Sequence, residues 1–317
     1  MYQSEQPAVV VENLVKVFPQ SKGESLRAVD GVSFQVESGE VFGFLGPNGA
    51  GKTTTLEIIE GIQEPTSGRV HILGLDVSTD LEIIKPRIGV QLQAESFFER
   101  LHLDEILDIY GNFYNMTVDP GVLLERVGLT EKRKSFLKQL SGGQHRRFSI
   151  AVSLVSDPEV IFLDEPTSGL DPQARRNLWD LVEAMRAEGK TVVLTTHYMD
   201  EAETLCDRVA IIDHGKIRAM DQPLKLIQAL DTAYHIRFTT STPVDEEALL
   251  ALPGAAGLTQ SDSNGSPRYD LQVHNPADVL AKFSRILGKK VQVEDLRVEP
   301  STLEEVFLHL TGRELRD

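Results

Sequence analysis

A glycine-rich segment stands directly after the apolar stretch VFGFL and directly before residues with helical spacing. Glycines let backbone N–H groups turn inward around an anion, and the start of a helix adds favourable partial charge. Lys52 can reach the outer phosphates of a nucleotide, and the Thr53 hydroxyl is a ligand that suits Mg²⁺. The segment predicts a nucleotide-phosphate site, and alone it does not separate an ATPase from a GTPase or a kinase. It matches G-x-x-x-x-G-K-[ST] and continues into Thr54: Gly46, Pro47, Asn48, Gly49, Ala50, Gly51, Lys52, Thr53.

Two carboxylates end the apolar stretch VIFLDE at residues 160–165. A solvated strand end would account for them, yet buried apolar strands seldom end in paired charges. We assign Asp164 to hold Mg²⁺ through water and Glu165 to polarise an attacking water, which is ordinary work for a positioned carboxylate. Together with the glycine-rich segment, these residues predict hydrolysis of a nucleotide.

A second glycine-rich helix start lies upstream of Asp164: Leu140, Ser141, Gly142, Gly143 and Gln144. A loop-to-helix cap is the plain alternative, but a serine hydroxyl at a helix N-terminus can also bind a phosphate. Because one cradle already serves the phosphates, a second one suggests a site shared between two copies. With this LSGGQ sequence the chain resembles the ATP-binding-cassette (ABC) ATPases over roughly residues 9–225.

The resemblance implies roles for further residues. Phe18 matches the family's adenine-stacking aromatic residue, although an ordinary strand core residue is the alternative. Gln93 matches the glutamine that senses the γ-phosphate and Mg²⁺ and links to a membrane partner. Gln91 lies on the same face of the strand, so alternation cannot choose between the two. Gln93 is taken because the family's glutamine falls at the end of this strand.

Two more positions follow from the family pattern. Asp171, which ends the tetrapeptide SGLD, matches the residue that communicates across the dimer, where a plain turn is the alternative. His197, after TVVLTT, matches the histidine that contacts the γ-phosphate, where a polar strand end is the alternative. The resemblance thus implies ATP as the ligand, with Lys52, Gln93, Glu165 and His197 catalytic. It also implies two head-to-tail copies in which residues 141–144 of one cap the ATP of the other.

Composition narrows the class of partner. The chain has 317 residues, and its 32 Lys and Arg against 48 Asp and Glu leave a net charge of −16. Such a charge disfavours nucleic acid and anionic lipid as partners. The single cysteine excludes an internal disulfide and favours a cytosolic protein. No apolar run approaches the roughly 18 residues that cross a bilayer, so membrane helices are expected on a separate permease chain, without direct lipid insertion.

The elements that must position these residues read as an α/β fold. Buried strands alternate with helices, which predicts a mixed or parallel sheet, and a mostly helical stretch lies at about 97–155. The resemblance implies that residues 1–230 form a P-loop ABC cassette in which this stretch is the helical subdomain. Residues 231–317 read as β-α-β-β-α-β-α, a small α+β accessory domain of ferredoxin-like type. Ser301 and Glu304 resemble a capping box before the last helix.

The C-terminal sequence VEPSTLEEVFLHLTGRE and the length resemble the ATPase subunits of bacterial ABC-2 exporters. This predicts a peripheral subunit on the cytoplasmic face of the membrane, coupled to a permease. Two other functions stay open: a non-transport ABC ATPase acting on nucleic acid or ribosomes, and a nucleotide-gated regulatory module. The transported substrate would be chosen by the membrane subunit, so this sequence does not reveal it.

Overall fold

The chain folds into two compact units that join between Gln222 and Pro223. This computed structural model describes residues 6–19, 25–92, 97–230, 232, 234–263, 266–287 and 291–312. Within these ranges, no helix is both long and apolar enough to cross a bilayer. The assignment of residues 1–230 and 231–317 to two functional domains stays a prediction.

The first unit contains ten strands and seven helices within its described residues. The strands are β1 (Val9–Pro19), β2 (Ser25–Val36), β3 (Val41–Leu45), β4 (Ser67–Ile72), β5 (Leu75–Asp76), β6 (Ile88–Gln91), β7 (Val160–Asp164), β8 (Thr191–Thr196), β9 (Arg208–Asp213) and β10 (Lys216–Asp221). The helices are α1 (Lys52–Ile59), α2 (Leu81–Ile84), α3 (Leu103–Phe113), α4 (Pro120–Arg126), α5 (Gly142–Ser153), α6 (Pro172–Ala187) and α7 (Met199–Leu205).

A six-stranded sheet positions the chemistry. Its order is β10-β9-β3-β8-β7-β6, and every neighbouring pair is parallel except the antiparallel β10–β9 edge. Strands β3, β7 and β8 are buried at every position, as expected for a sheet covered on both faces. Their carboxyl ends lie side by side, because Leu45 pairs with Thr196 and Asp164 pairs with Thr195. The predicted α/β fold is confirmed.

The other strands form a separate antiparallel sheet in the order β2-β1-β4-β5. Cross-strand pairing places Phe18 of β1 opposite Leu26 of β2. The region expected to be helical, residues 97–155, contains α3, α4 and α5, joined by turns and short 3₁₀ segments.

The second unit has its own sheet and core. It contains α8 (Pro223–Gln228), β11 (Tyr234–Thr240), α9 (Glu246–Leu250), β12 (Ala255–Ser263), β13 (Ser266–Val273), α10 (Pro276–Leu287), β14 (Val293–Pro300) and α11 (Leu303–Thr311). The strands pair antiparallel in the order β12-β13-β11-β14. From β11 to β14 this is the β-α-β-β-α-β order of a ferredoxin-like domain.

The start of α11 differs from expectation. Thr302 is its N-cap residue, without a side-chain capping bond, so the predicted capping box of Ser301 and Glu304 is wrong. The Ser301 hydroxyl instead donates to the carbonyl of Thr232 at 2.7 Å. The Ser301 hydroxyl, which the sequence pattern predicted to cap the helix, thus bonds a residue that is distant in sequence.

Candidate functional site

The glycine-rich loop between β3 and α1 needs its glycines for close backbone approach. A Cβ at Gly46 would lie 2.2 Å from the carbonyl oxygen of Ile212. A Cβ at Gly51 would lie 2.3 Å from the carbonyl oxygen of Ala28, and Gly51 also has φ of +103°. Side chains would therefore push the loop away from its neighbouring strands, and only glycine permits this path.

Lys52 points from the start of α1 into the middle of the loop. Its ammonium group donates to the carbonyl of Gly46 at 2.8 Å and to that of Pro47 at 3.2 Å. The side chain is 3% exposed, and Nζ lies 3.3 Å from Glu165 Oε1. Burial lowers the pKa of Lys52, while the carboxylates of Glu165 and Asp164 act in the opposite direction. The arrangement presents a desolvated cation in the phosphate loop.

Asp164 is held by hydroxyl groups from two elements. Thr195 Oγ1 donates to Asp164 Oδ1 at 2.5 Å, and Thr53 Oγ1 lies 3.2 and 3.1 Å from the two carboxylate oxygens. Burial raises the pKa of Asp164, and these hydroxyl bonds oppose the rise. The hydroxyl of Thr53 and the oxygens of Asp164 converge, and hard oxygen atoms of this kind fit Mg²⁺.

Glu165 has a backbone conformation that side chains rarely adopt, with φ of +43°. Its amide donates to Thr195 Oγ1 at 2.9 Å, so a single threonine fixes both carboxylate residues. His197 Nδ1 lies 3.3 Å from Glu165 Oε1, although the two atoms are not aligned as a hydrogen bond. Strain of this type, on the order of 1–3 kcal/mol, is kept where the surroundings impose it, and it is common at functional sites.

Lys52, Thr53, Glu165 and His197 line one cavity of about 610 Å³, and Asp164 is not among its described lining residues. Its lining also includes Phe18, which is half-buried rather than part of the core, and the exposed side chain of Leu26. An aromatic ring and a cation in one cavity suit the base and the phosphates of a nucleotide. The remaining described lining residues are Ala28, Asn48, Gly49, Gly51, Thr54, Ser168 and Tyr198.

Of the two candidate glutamines, the structure describes only Gln91. Gln93 lies outside the described residues. Gln91 is the last residue of β6, pairs with Leu163 of β7, and has a fully buried side chain. Its amide nitrogen donates to the carbonyl of Leu92, and its Oε1 has no hydrogen-bond partner in the described part of the chain. Gln91 does not line the cavity, and the role of Gln93 stays a prediction.

Ser141 caps helix α5. Its Oγ accepts from the amide of Gln144 at 3.3 Å, and its own amide donates to Gln144 Oε1 at 3.0 Å. The hydroxyl hydrogen is free to serve another acceptor, since the capping bond uses only a lone pair. A Cβ at Gly143 would lie 2.8 Å from the Cβ of Ala174, so glycine is required where α5 meets α6.

Asp171 also caps a helix. Its Oδ1 accepts from the amides of Gln173 and Ala174 at 3.0 and 2.9 Å, at the start of α6. Among the described residues that line the cavity, none comes from 140–144, and Asp171 is not one of them. The structure therefore brings together the residues of the phosphate loop, the β7 end and His197, and leaves the LSGGQ segment outside their cavity.

Sequence reasoning missed Thr195 and Tyr198. Thr195 bonds both carboxylate residues of the β7 end, and Tyr198 lines the cavity beside His197. The only signal in the sequence was their place in TVVLTTHY, directly around His197. The pairing of β7 with β8, which brings Thr195 to Asp164, could not be read from either strand alone.

The sequence is similar to characterised families over most of its length. The ABC transporter family model matches residues 29–168. Nod factor export ATP-binding protein I of Burkholderia pseudomallei is 38% identical over 294 residues, covering 91% of this chain and 93% of that protein. Daunorubicin/doxorubicin resistance ATP-binding protein DrrA of Streptomyces peucetius is 34% identical over 315 residues, covering 98% of this chain and 94% of that protein.

The fold is also similar to a solved cassette. The dimeric post-hydrolysis state of the ATP-binding cassette MJ0796, bound to ADP and Pi, aligns with a TM-score of 0.62 at 27% identity. The alignment covers 68% of this chain and 98% of that one.

Proposed function

Since this chain belongs to the ABC transporter family and is one of its ATPases, we propose that it is the ATP-hydrolysing subunit of an ABC-2 type exporter and works as a dimer around two ATP molecules. The observation that carries the proposal is the convergence on Glu165. Lys52 Nζ and His197 Nδ1 both lie 3.3 Å from its Oε1, inside a cavity that also holds Phe18. The proposed base, Glu165, is thus in contact with both the proposed phosphate-binding lysine and the proposed γ-phosphate sensor, His197.

The residues divide the reaction ATP + H₂O → ADP + phosphate between them. The loop Gly46–Thr53, with Thr54, holds the phosphates through amides other than those of Gly46 and Ala50, which donate to backbone carbonyls, and without Pro47, which has no N–H. Lys52 neutralises charge on the β- and γ-phosphates. Glu165 accepts the proton of the attacking water, and His197 and Gln93 contact the γ-phosphate. Fixed positive charge around a transferring phosphoryl group is the main source of catalysis in this reaction class.

Thr53, Gln93 and Asp164 would hold Mg²⁺. The fit is supported by Thr53 Oγ1, which lies 3.2 and 3.1 Å from the two oxygens of Asp164. Mg²⁺ at this place supplies electrostatic neutralisation of the phosphate oxygens. Thr53 and Asp164 would supply the oxygen ligands, so Glu165 would not be needed as a ligand and could act as the base.

The dimer is supported by what the cavity of one copy contains. Its described lining includes no residue of 140–144, so a phosphate-binding helix start is left over. Ser141, Gly142, Gly143 and Gln144 of the opposite copy would cap the γ-phosphate, with Asp171 at the same interface. ATP then touches both copies, and hydrolysis removes the bridge between them. The dimeric arrangement of MJ0796 supports this architecture.

Export and the membrane location are supported by relatives. The matched proteins are named for Nod factor export and for daunorubicin/doxorubicin resistance. The described residues hold no helix that could span a bilayer, so the spans would come from separate permease subunits. The chain would lie on the cytoplasmic face of the membrane, with neither nucleic acid nor lipid as a direct partner.

The oligomeric state of Glu165→Gln tests the proposal. We expect this variant to bind Mg-ATP and to shift from monomer to dimer, because ATP stays intact as the bridge. Light scattering after gel filtration, with and without Mg-ATP, measures the shift. A variant that binds ATP at saturation and remains monomeric would contradict the shared site. Glu188→Gln, on the exposed surface at the end of α6, is the matched control and should behave as the parent chain.

A further inference from the structure

Tyr198 contacts both a cation and the ring of His197. The guanidinium carbon of Arg175 is 4.3 Å from the centroid of the Tyr198 ring. The rings of Tyr198 and His197 have centroids 4.1 Å apart and planes 42° apart. Arg175 Nη1 also lies 3.2 Å from Asp200 Oδ2, which holds the guanidinium over the ring. The three side chains form a stack, named here the Arg175–Tyr198–His197 stack.

The stack joins two helices near the cavity. Arg175 belongs to α6, and its amide donates to the carbonyl of Asp171 at 3.0 Å. Tyr198 immediately precedes α7 and lines the cavity with His197. One turn further along α6, Trp179 Nε1 donates to Glu201 Oε1 of α7 at 3.3 Å. Two contacts one turn apart therefore connect α6 to α7 and the residue before it, namely Arg175 with Tyr198 and Trp179 with Glu201. The first of these contacts continues to the ring of His197.

His197 has few other constraints on its ring. Its Nδ1 has no aligned hydrogen-bond partner among the described residues, although Glu165 Oε1 is 3.3 Å away. The backbone beside it is fixed by the amide of Tyr198, which donates to Thr196 Oγ1 at 2.9 Å. Since no aligned hydrogen bond fixes Nδ1, packing against the ring of Tyr198 is the contact that can set the orientation of the imidazole.

We propose that Arg175 and Tyr198 are positioning residues that hold the His197 ring in the orientation required for ATP hydrolysis. The inference rests on the proposed role of His197 at the γ-phosphate. Arg175 stabilises the ring of Tyr198 through a cation–π contact, and Tyr198 in turn limits the rotation of the imidazole. Arg175 is not among the described lining residues of the cavity, and Tyr198 lines it beside His197, so the proposed effect of both residues runs through the His197 ring. A displacement of about 1 Å at a reacting centre can cost up to ~10²-fold in rate, so loss of the stack should be visible in turnover.

The test compares Tyr198→Leu with Tyr198→Phe in steady-state ATP hydrolysis by the full chain. We expect Tyr198→Leu to lower kcat about tenfold with KM within about twofold, since the lost interaction acts on the chemical step. Tyr198→Phe keeps the ring and should stay within about twofold of the parent in kcat. Loss of the same size in both variants, or parent-like kcat for Tyr198→Leu, would overturn the proposal.

Arg175 supplies a second variant in case Tyr198→Leu fails to fold. Arg175→Met should lower kcat severalfold, and Arg176→Met, at an exposed neighbouring position of the same helix, should not. Equal effects of the two arginine changes would count against the stack. Thermal unfolding and equilibrium ATP binding identify any variant whose loss comes from misfolding.

The His197→Ala background separates this inference from the proposed function. Tyr198→Leu should cause no further loss of kcat there, because it acts through the missing ring. A further tenfold loss would show that Tyr198 acts by another route and would overturn the positioning role. If His197→Ala itself leaves kcat unchanged, the proposed role of His197 fails instead.

Discussion

The Nζ of Lys52 lies 3.3 Å from a carboxylate oxygen of Glu165, and both side chains are more than nine-tenths buried. The clamp for the phosphates and the candidate base are therefore an ion pair within one chain. His197 lies at the same distance from the same oxygen. In the proposed mechanism, a phosphate bound to Lys52 would compete with Glu165 for the ammonium group and would leave the carboxylate able to accept a proton from water.

Removal of Lys52 should abolish turnover through two effects. Lys52→Ala takes away the charge-assisted contacts to phosphate, so ATP affinity should fall roughly a hundredfold. It also leaves Glu165 buried without its cation, which is costly. Equilibrium ATP binding and ATP hydrolysis measure the result. The control is Lys85→Ala at the surface; full turnover by Lys52→Ala would remove Lys52 from the mechanism.

Ser141 has a structural bond and a proposed phosphate contact, and two substitutions separate them. Ser141→Asp keeps a side-chain oxygen for the helix cap but directs negative charge at the γ-phosphate. We expect kcat to fall by about 10²-fold, as for loss of one donor to a charged transition state. ATP binding to the dilute monomer should be unchanged. Ser141→Thr retains cap and hydroxyl and should stay active. Weaker ATP binding to the monomer of Ser141→Asp would place the serine in its own chain's site.

Glu60, which follows α1, gives a stability prediction with a definite pH window. It is 5% exposed, and neither carboxylate oxygen has a hydrogen-bond partner in the described ranges. Burial, with the charges of Asp164 and Glu57, raises the pKa of Glu60 to about 8 from 4.5. A raised folded-state pKa contributes stability that is present below pH 4.5 and is lost as the pH rises toward 8.

Glu60→Gln should therefore be more stable than the parent chain at pH 8, by as much as about 4 kcal/mol, and similar to it at pH 5. Urea unfolding at the two pH values measures the difference. Glu64→Gln, at an exposed position nearby, is the control, because Glu64 is not among the causes of the raised pKa of Glu60. If the difference in free energy of unfolding between Glu60→Gln and the parent were the same at both pH values, Glu60 would be ionised in the folded chain throughout this range.

His235 of the second unit gives a pH dependence with another cause. Its Nδ1 lies 2.7 Å from Asp270 Oδ1 and its Nε2 lies 3.0 Å from Glu305 Oε2, and only the protonated ring can donate to both. The bond to Glu305 raises the pKa of His235, burial opposes the rise, and Asp270 adds to it. The stabilisation is thus complete below about pH 6.5, the unfolded pKa, and is lost as the pH rises through the folded value.

The stability that His235→Asn removes should accordingly shrink between pH 6 and pH 9. Thermal unfolding of the full chain across this range measures it. His274→Asn, at an exposed position, is the matched control. A deficit of His235→Asn that is constant across the range would mean that the ring is neutral and acts only by packing.

The sequence predicted contiguous features well because each carries its own chemistry. Glycines of the 46–53 loop, the apolar strand before Asp164 and the helix start at Ser141 all act over a few neighbouring residues. The β-α-β-β-α-β order of the second unit was also predicted, since alternation and helical spacing are local signals. The capping box at Ser301 failed for the opposite reason, because its hydroxyl bonds Thr232 across the fold.

The tertiary structure decided which of these local features meet. Thr195 reaches Asp164 only through the β7–β8 register, and Arg175 reaches Tyr198 only because α6 packs beside α7. Such contacts join residues that are distant in sequence. Neither residue of a pair therefore lies in a local spacing pattern from which the contact could be predicted. The sequence alone therefore determined that this chain binds and hydrolyses ATP. The packing of strands and helices decided how Glu165 and His197 are held for it.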